Sequence, residues 1–356
     1  MIFHTVLIVL LALVAGQSAA QSYYGPEDPR IEVAVTTETP INGVSTRPGG
    51  RLFVLYARVD GSSGPQVVEY NQTTNETVPF PNEEWNSYAP GKNPATHLVR
   101  TNSQRIGPDG QLWIVDVGSP GFGEPVILPE GPKLVAFNLT TNEVSRVYPM
   151  GNVTRSMSLL DDVRFNLASD KAYLTDAGRP GLIVLDLASE DAGRVLDDDL
   201  STRQYLPMEV SPNGKWFYYQ PASGGFSRIE TRYLDNAFYN SSLNSNAILG
   251  QYVEPFAHTP STGGTAVDAN GNVYDSDTDS QRIIKIAPNG TMTTLVQDPR
   301  LLWVDAMWID TQQRLWMPAA QLNRGIPFNN GTTRIVKPLY VYTIDIGVGP
   351  PAIDHA

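Results

Sequence analysis

Oxygen-bearing side chains recur at one position of a repeated strand. Asn42, Asn102, Asp161 and Asp305 each stand ten residues (eleven for Asp161) ahead of an aromatic-rich run; in two further copies Leu206 and Gly263 take that place. Carboxylates and amides converging on one axis can hold a hard cation such as Ca²⁺ or supply acid–base groups. They can equally do no more than cap turns at strand starts. His97 and His258 each lie five residues before one of these positions, and histidine is the usual side chain for proton transfer near neutral pH. The catalytic candidates are therefore His97, His258, Asp161, Asp305 and Asn102. No cofactor is called for; if a metal is present, Asp161, Asp305 and Asn102 are its expected ligands. Asn42, Tyr88, Arg100, Trp303 and Arg324 are the expected substrate contacts, with Trp85 and Phe256 in the same kind of loop. The aromatic residues would wall an apolar pocket, and the arginines would meet an anionic group or pair with an acidic neighbour. His355 is expected in a loose tail. Asp275-Ser276-Asp277-Thr278-Asp279 begins like an EF-hand loop, but Ser280 stands where glycine is needed and Ile286 where glutamate is. Asp277 aligns instead with Asp116 and Asp176 as a turn residue.

The elements that must position these residues repeat along the chain. Two apolar residues, a turn rich in Asp, Asn, Gly and Pro, and an aromatic-rich run occur six times: 44–56, 104–116, 163–176, 208–220, 265–277 and 307–319. Turn residues between β-rich runs mark antiparallel hairpins. A second hairpin follows several of them, at 66–80, 133–148, 181–196 and 282–296. Two hairpins per repeat make one four-stranded blade, and six repeats predict an all-β, six-bladed β-propeller with four-stranded antiparallel blades. A sandwich or a pair of β domains is the alternative. The last blade is expected to combine 339–346 with a strand from 31–37, which removes free sheet edges. No segment has a long helical period. In such a ring the first strand of each blade is innermost, and the long inter-blade connections share the face where it starts, the top. The candidate residues would then ring the channel mouth.

The chain has 356 residues, with 25 Lys and Arg against 37 Asp and Glu and a net charge of −12. That balance argues against nucleic acid and anionic membranes as partners; the expected partner is a small-molecule substrate. No cysteine is present, which excludes disulfides, thiol nucleophiles and Cys-zinc sites. Residues 1–20 read as a secretory signal: an apolar run from Val6 to Val14, too short to span a bilayer, then Ser18-Ala19-Ala20. The expected mature chain is one propeller domain over 21–356, with no membrane anchor. Seven N-x-[ST] sequons, at Asn71, Asn75, Asn138, Asn152, Asn240, Asn289 and Asn330, fit a secreted glycoprotein.

Three segments carry a family resemblance: GPDGQLWIVDVG (107–118), DDVRF with AYLTDAGRPGLIVLDL (161–187) and DPRLLWVDAMWIDTQQRLWMPAAQLNR (298–324). They resemble the royal jelly protein and Yellow family, and the last is similar to microbial members. The resemblance implies a secreted six-bladed propeller with a central channel, but not one activity. Some Yellow proteins are implicated in dopachrome rearrangement, some bind small amines and some are nutritive. Related gluconolactonase and regucalcin propellers are metal-dependent lactonases with Glu, Asn and Asp at the mouth; Asp161 and Asp305 fall at such positions, while no Glu equivalent precedes the first blade. Secreted fungal propellers of this look also include hetero-Diels–Alderases. Three functions follow. The first is a secreted enzyme of specialised metabolism that binds an apolar molecule at the mouth and promotes cycloaddition or isomerisation. The second is a metal-dependent lactone or ester hydrolase, and the third a non-catalytic binding protein.

Overall fold

The computed structural model describes residues 22–202, 207–221, 223–353 and 355. The expected signal segment 1–20 and the mouth position Leu206 lie outside them. Among the described residues, twenty-four strands form six antiparallel four-stranded sheets. The first blade is β2 (Ile41–Thr46) to β5 (Thr77–Pro79), and the second is β6 (Thr101–Ile106) to β9 (Glu143–Pro149). The third is β10 (Leu160–Asn166) to β13 (Ala192–Val195), and the fourth β14 (Met208–Val210) to β17 (Glu254–Ala257). The fifth is β18 (Thr262–Val267) to β21 (Met292–Gln297). The sixth joins β22 (Trp308–Ile309), β23 (Arg314–Pro318) and β24 (Leu339–Asp345) to β1 (Glu32–Thr37), the N-terminal strand. Glu32 pairs with Thr343 and Thr37 with Leu339, which closes the ring as the sequence predicts. A bridge from Gly43 to Ala306 ties the sixth blade to the first.

The second strands of the first two blades are largely apolar because both their faces pack on neighbouring blades. Residues 52–55 and 112–116 are entirely buried. Phe53, Phe80, Ile114, Phe137 and Trp316 belong to one inter-blade core. Two short helices stand in the fourth blade. The connection from β16 (Phe226–Glu230) to β17 holds α1 (Thr231–Tyr239) and α2 (Asn246–Leu249). Thr231, Leu234 and Ala237 of α1 are buried, and a nine-residue helix leaves too short a period to read against a strand background.

The inner strands share one irregularity that the repeat pattern hides. A β-bulge interrupts the start of four of them, between Ile41 and Gly43, Thr101 and Ser103, Leu160 and Val163, and Thr262 and Thr265. The extra residues are Asn42, Asn102, one of Asp161 and Asp162, and one of Gly263 and Gly264. A bulge breaks the two-residue alternation and re-aims a side chain.

Below the mouth, a buried charged layer crosses the inner strands. Arg164 donates two hydrogen bonds to Glu209, at 2.9 and 2.7 Å. Glu209 also accepts from Thr265 at 2.9 Å, and Arg105 lies 3.9 Å from it. Lower still, the C-terminal tail closes the channel. Gly349 accepts from Ala269 N in the fifth blade's inner turn. Ile353 belongs to a core cluster with Val210 and Phe217. His355 stands edge-on to Trp308 with ring centres 4.1 Å apart. The expectation of a loose tail for His355 is therefore corrected: the side chain is 5% exposed.

Candidate functional site

Asn42, Asn102 and Asp161 form a hydrogen-bonded line around the mouth. Asn42 Nδ2 donates to the Asn102 carbonyl at 2.7 Å, and Asn102 Nδ2 donates to Asp161 Oδ1 at 2.6 Å. Each amide nitrogen is thus committed to the next blade. Approach to the mouth is fixed by carboxylates at the ends of second strands. Asp116 accepts from the backbone N–H groups of Val99, Arg100 and Gly118 at 2.8–2.9 Å and from Lys133 at 2.5 Å. Asp176 accepts from Leu159 N at 2.9 Å, Ser158 and Arg194. These are structural pins, as their turn position in the sequence suggests, and they hold the segments that deliver Asn102 and Asp161.

Asp305 comes from the sixth blade and Asp161 from the third, directly opposite in a six-membered ring. Both are half-buried at the mouth. Loss of solvent is the largest cause that pushes Asp161 up to about 7, with the charge of Asp162 adding to it and the Asn102 hydrogen bond opposing it. Desolvation likewise pushes Asp305 up to about 8, and the next cause is the negative charge of Asp161. The repulsion falls on Asp305 because Asp161 ionises first. Near neutral pH the pair therefore holds about one proton between two carboxyls. Asp162, one residue along, shows the contrast: it accepts from Ser103 at 2.8 Å and pairs with Arg164 at 2.5 Å.

The other expected residues divide. Trp303 adopts φ 55°, a rare conformation for an aromatic residue. Its indole N–H is buried without a hydrogen-bond partner, although it lies near enough to Asp305 to favour the carboxylate. Arg100 places its guanidinium 5.7 Å from the centre of Phe122. Arg324 donates to Gln321 Oε1 at 2.9 Å. The histidines do not join the line. His97 Nδ1 is 2.8 Å from the Asn93 carbonyl and Nε2 3.0 Å from Glu84, with Tyr88 beside it at 6.5 Å. Its ring closes the loop before Leu98. His258 is exposed and lines a groove of about 280 Å³ with Phe226 and Phe256 on the outer edge of the fourth blade. Among the described residues, no three His, Cys, Asp or Glu side chains gather to hold a metal. The oxygens at the mouth are two carboxylates and two amides.

Residues that the sequence did not single out complete the rim. The connection 117–132 leaves the top of the second blade, and the connection 319–338 the top of the sixth. They meet where Phe122 packs edge-on against Phe328 at 5.1 Å. Only a contact between distant loops reveals them.

Residues 104–204 match the Major royal jelly protein family model. The royal jelly match begins in β6 and takes in Asp161; Asn42, Asn102 and Asp305 lie outside it. No curated protein sequence matches the chain. Among solved structures, a luciferin-regenerating enzyme superposes with a TM-score of 0.59 at 12% identity, covering 92% of this chain and 99% of that one. A gluconolactonase from Xanthomonas campestris gives 0.56 at 12%, covering 92% and 93%. Regucalcin, a calcium-binding protein from Agrobacterium tumefaciens, gives 0.56 at 11%, covering 89% and 95%. At such identities the likeness establishes the propeller fold alone.

Proposed function

We propose that the protein hydrolyses a small cyclic or activated ester at the top mouth, with Asp161 and Asp305 as its acid–base pair. The observation that carries this reading is two carboxyls brought to one mouth from opposite blades, Asp161 and Asp305, each pushed up by loss of solvent and Asp305 further by the charge of Asp161. Two titratable groups whose environments separate their affinities divide into base and acid. Asp161, ionised first, takes a proton from water as the water oxygen bonds to the ester carbonyl carbon. Asp305, still protonated, gives its proton to the departing alkoxide as the C–O bond breaks. One water is consumed, and the pair resets by proton exchange through the mouth. The gluconolactonase likeness agrees with this reading.

A hard dication is the other means of neutralising the pair. Asp161, Asp305 and the Oδ1 atoms of Asn102 and Asn42 suit one by donor type, and it would polarise a carbonyl. Cycloaddition or isomerisation is the second reading. On its side is the aromatic rim of Trp303, Phe122 and Phe328, since such reactions draw mainly on positioning.

The test is product analysis on a panel of lactones and aryl esters with secreted, glycosylated protein. Hydrolysis adds one water to the product mass, while isomerisation leaves the mass unchanged. Asp161→Asn and Asp305→Asn should each lower kcat by about 100-fold or more. Undiminished turnover in the double variant would remove the pair from the reaction. Activity lost on chelation and restored by Ca²⁺ would make the pair a cation site. Saturable binding with no product from any class would leave a binding protein.

A further inference from the structure

We infer that Phe122 and Phe328 form an aromatic clasp over one side of the mouth, and that this clasp selects esters carrying a planar aromatic group. The inference rests on the mouth's being the reactive site and names the substrate class it takes.

The two rings come from blades that are not neighbours. Their contact must therefore pass above the first blade, which stands between the second and the sixth. The sixth-blade connection is anchored there: Ile326 N donates to the Val59 carbonyl at 2.7 Å, and Lys337 pairs with Asp60 at 2.9 Å. Gln321 ties the two ends of the connection together, donating to the Val336 carbonyl at 2.9 Å and accepting from Val336 N at 3.0 Å. Phe328 is thus carried on a stapled base.

Phe122 is mounted differently. It lies between Gly121 and Gly123, and Gly123 has φ 77°, a conformation that glycine adopts without strain. The loop around it is pinned by Ser119 Oγ, which donates to the carbonyls of Gly121 and Glu124 at 2.6 and 3.0 Å. The ring itself remains 36% exposed. It rests edge-on against Phe328 and under the cation of Arg100, whose chain runs two residues later into Asn102. A partly exposed ring thus leans on one carried by a stapled base, beside the segment that leads into Asn102. An aromatic group in the mouth can replace the edge contact with one of its own, at the spacing that aromatic pairs favour.

The experiment separates this inference from the hydrolase reading. Fluorescence titration with 2-naphthol reads binding without turnover. Wild type should bind one equivalent. Phe122→Ala and Phe122→Leu should weaken binding about tenfold and about threefold, and Phe328→Ala about tenfold, with unchanged circular dichroism. Asp305→Asn should leave naphthol affinity within about twofold. In turnover, the preference for a benzo-fused δ-lactone over δ-valerolactone should shrink from about tenfold to about twofold in Phe122→Ala. Naphthol affinity unchanged in folded Phe122→Ala and Phe328→Ala, or no naphthol binding by wild type, overturns the clasp. Naphthol binding that depends on the clasp, with no lactone turnover, upholds the clasp and overturns the hydrolase.

Discussion

Asp275 isolates a principle that the mouth carboxyls also obey. It is fully buried in the fifth blade, and neither of its oxygens has a hydrogen-bond partner. Desolvation pushes it up to about 7. The unfolded chain holds this proton only to about pH 4, so between pH 4 and 7 the folded state binds more protons than the unfolded. Stability therefore falls as pH rises through that window. At about 1.4 kcal/mol per unit the full cost is on the order of 4 kcal/mol. Asp275→Asn should raise Tm clearly at pH 8 and hardly at pH 4, which thermal melts at the two values will read. Asp305→Asn should show the same sign together with lost activity, the pattern expected where a site is held at the expense of stability. For the wild type, kcat/KM should rise as Asp161 ionises near pH 7 and fall as Asp305 loses its proton near pH 8, a narrow bell. The repeat spacing singles out Asp161 and not its neighbour Asp162. Their partners differ: Ser103 and Arg164 hydrogen-bond Asp162, while Asp161 accepts from Asn102.

The recurring bulge is the element-scale device that turns a strand start into a mouth residue. Its fit is close in the fifth blade, where a Cβ on Gly263 would lie 2.3 Å from the Val304 carbonyl, and one on Gly264 2.8 Å from that of Asp305. Backbone cannot yield as a flexible side chain can. Gly263→Ala should therefore cost about 1–3 kcal/mol and displace the 304–305 segment, lowering kcat more than it raises KM. Chemical denaturation and steady-state kinetics check the two effects; a stable variant with unaltered kcat would show that the strand tolerates the shift. The hairpin spacing made all six inner strands and most of the mouth ring legible. The bulges were not legible, because they arise from how paired strands meet and not from residue type. The histidines were misleading for a related reason. Loop position puts His97 and His258 on the right connections, but hydrogen bonds to Asn93 and Glu84 hold one aside, and a place on the outer edge of the fourth blade holds the other.

At the scale of the whole molecule, closure occurs twice. The N-terminal strand β1 completes the sixth blade, and the C-terminal tail seals the bottom of the channel through Ile353 and His355. Removing residues 347–356 should cost about 2–4 kcal/mol through the loss of these buried groups. It should also expose Trp308, read as stronger acrylamide quenching and a lower Tm. A truncated chain with unchanged melting and quenching would mean that the tail only rests on the ring. The top mouth keeps its geometry in the truncated protein because the buried layer of Arg105, Arg164 and Glu209 lies between the two ends.

The sequence by itself determined the propeller, its six blades, its means of closure and the oxygen-rich positions of the mouth. Those properties are written in alternation, turn chemistry and repeat spacing, all of which are local. Tertiary structure alone decided which carboxyl is paired and which is left to titrate. It also decided that the tail is a plug, and that Phe122 and Phe328, some two hundred residues apart, share an edge. Solvent exclusion and contacts between blades set these outcomes, and no single strand carries either.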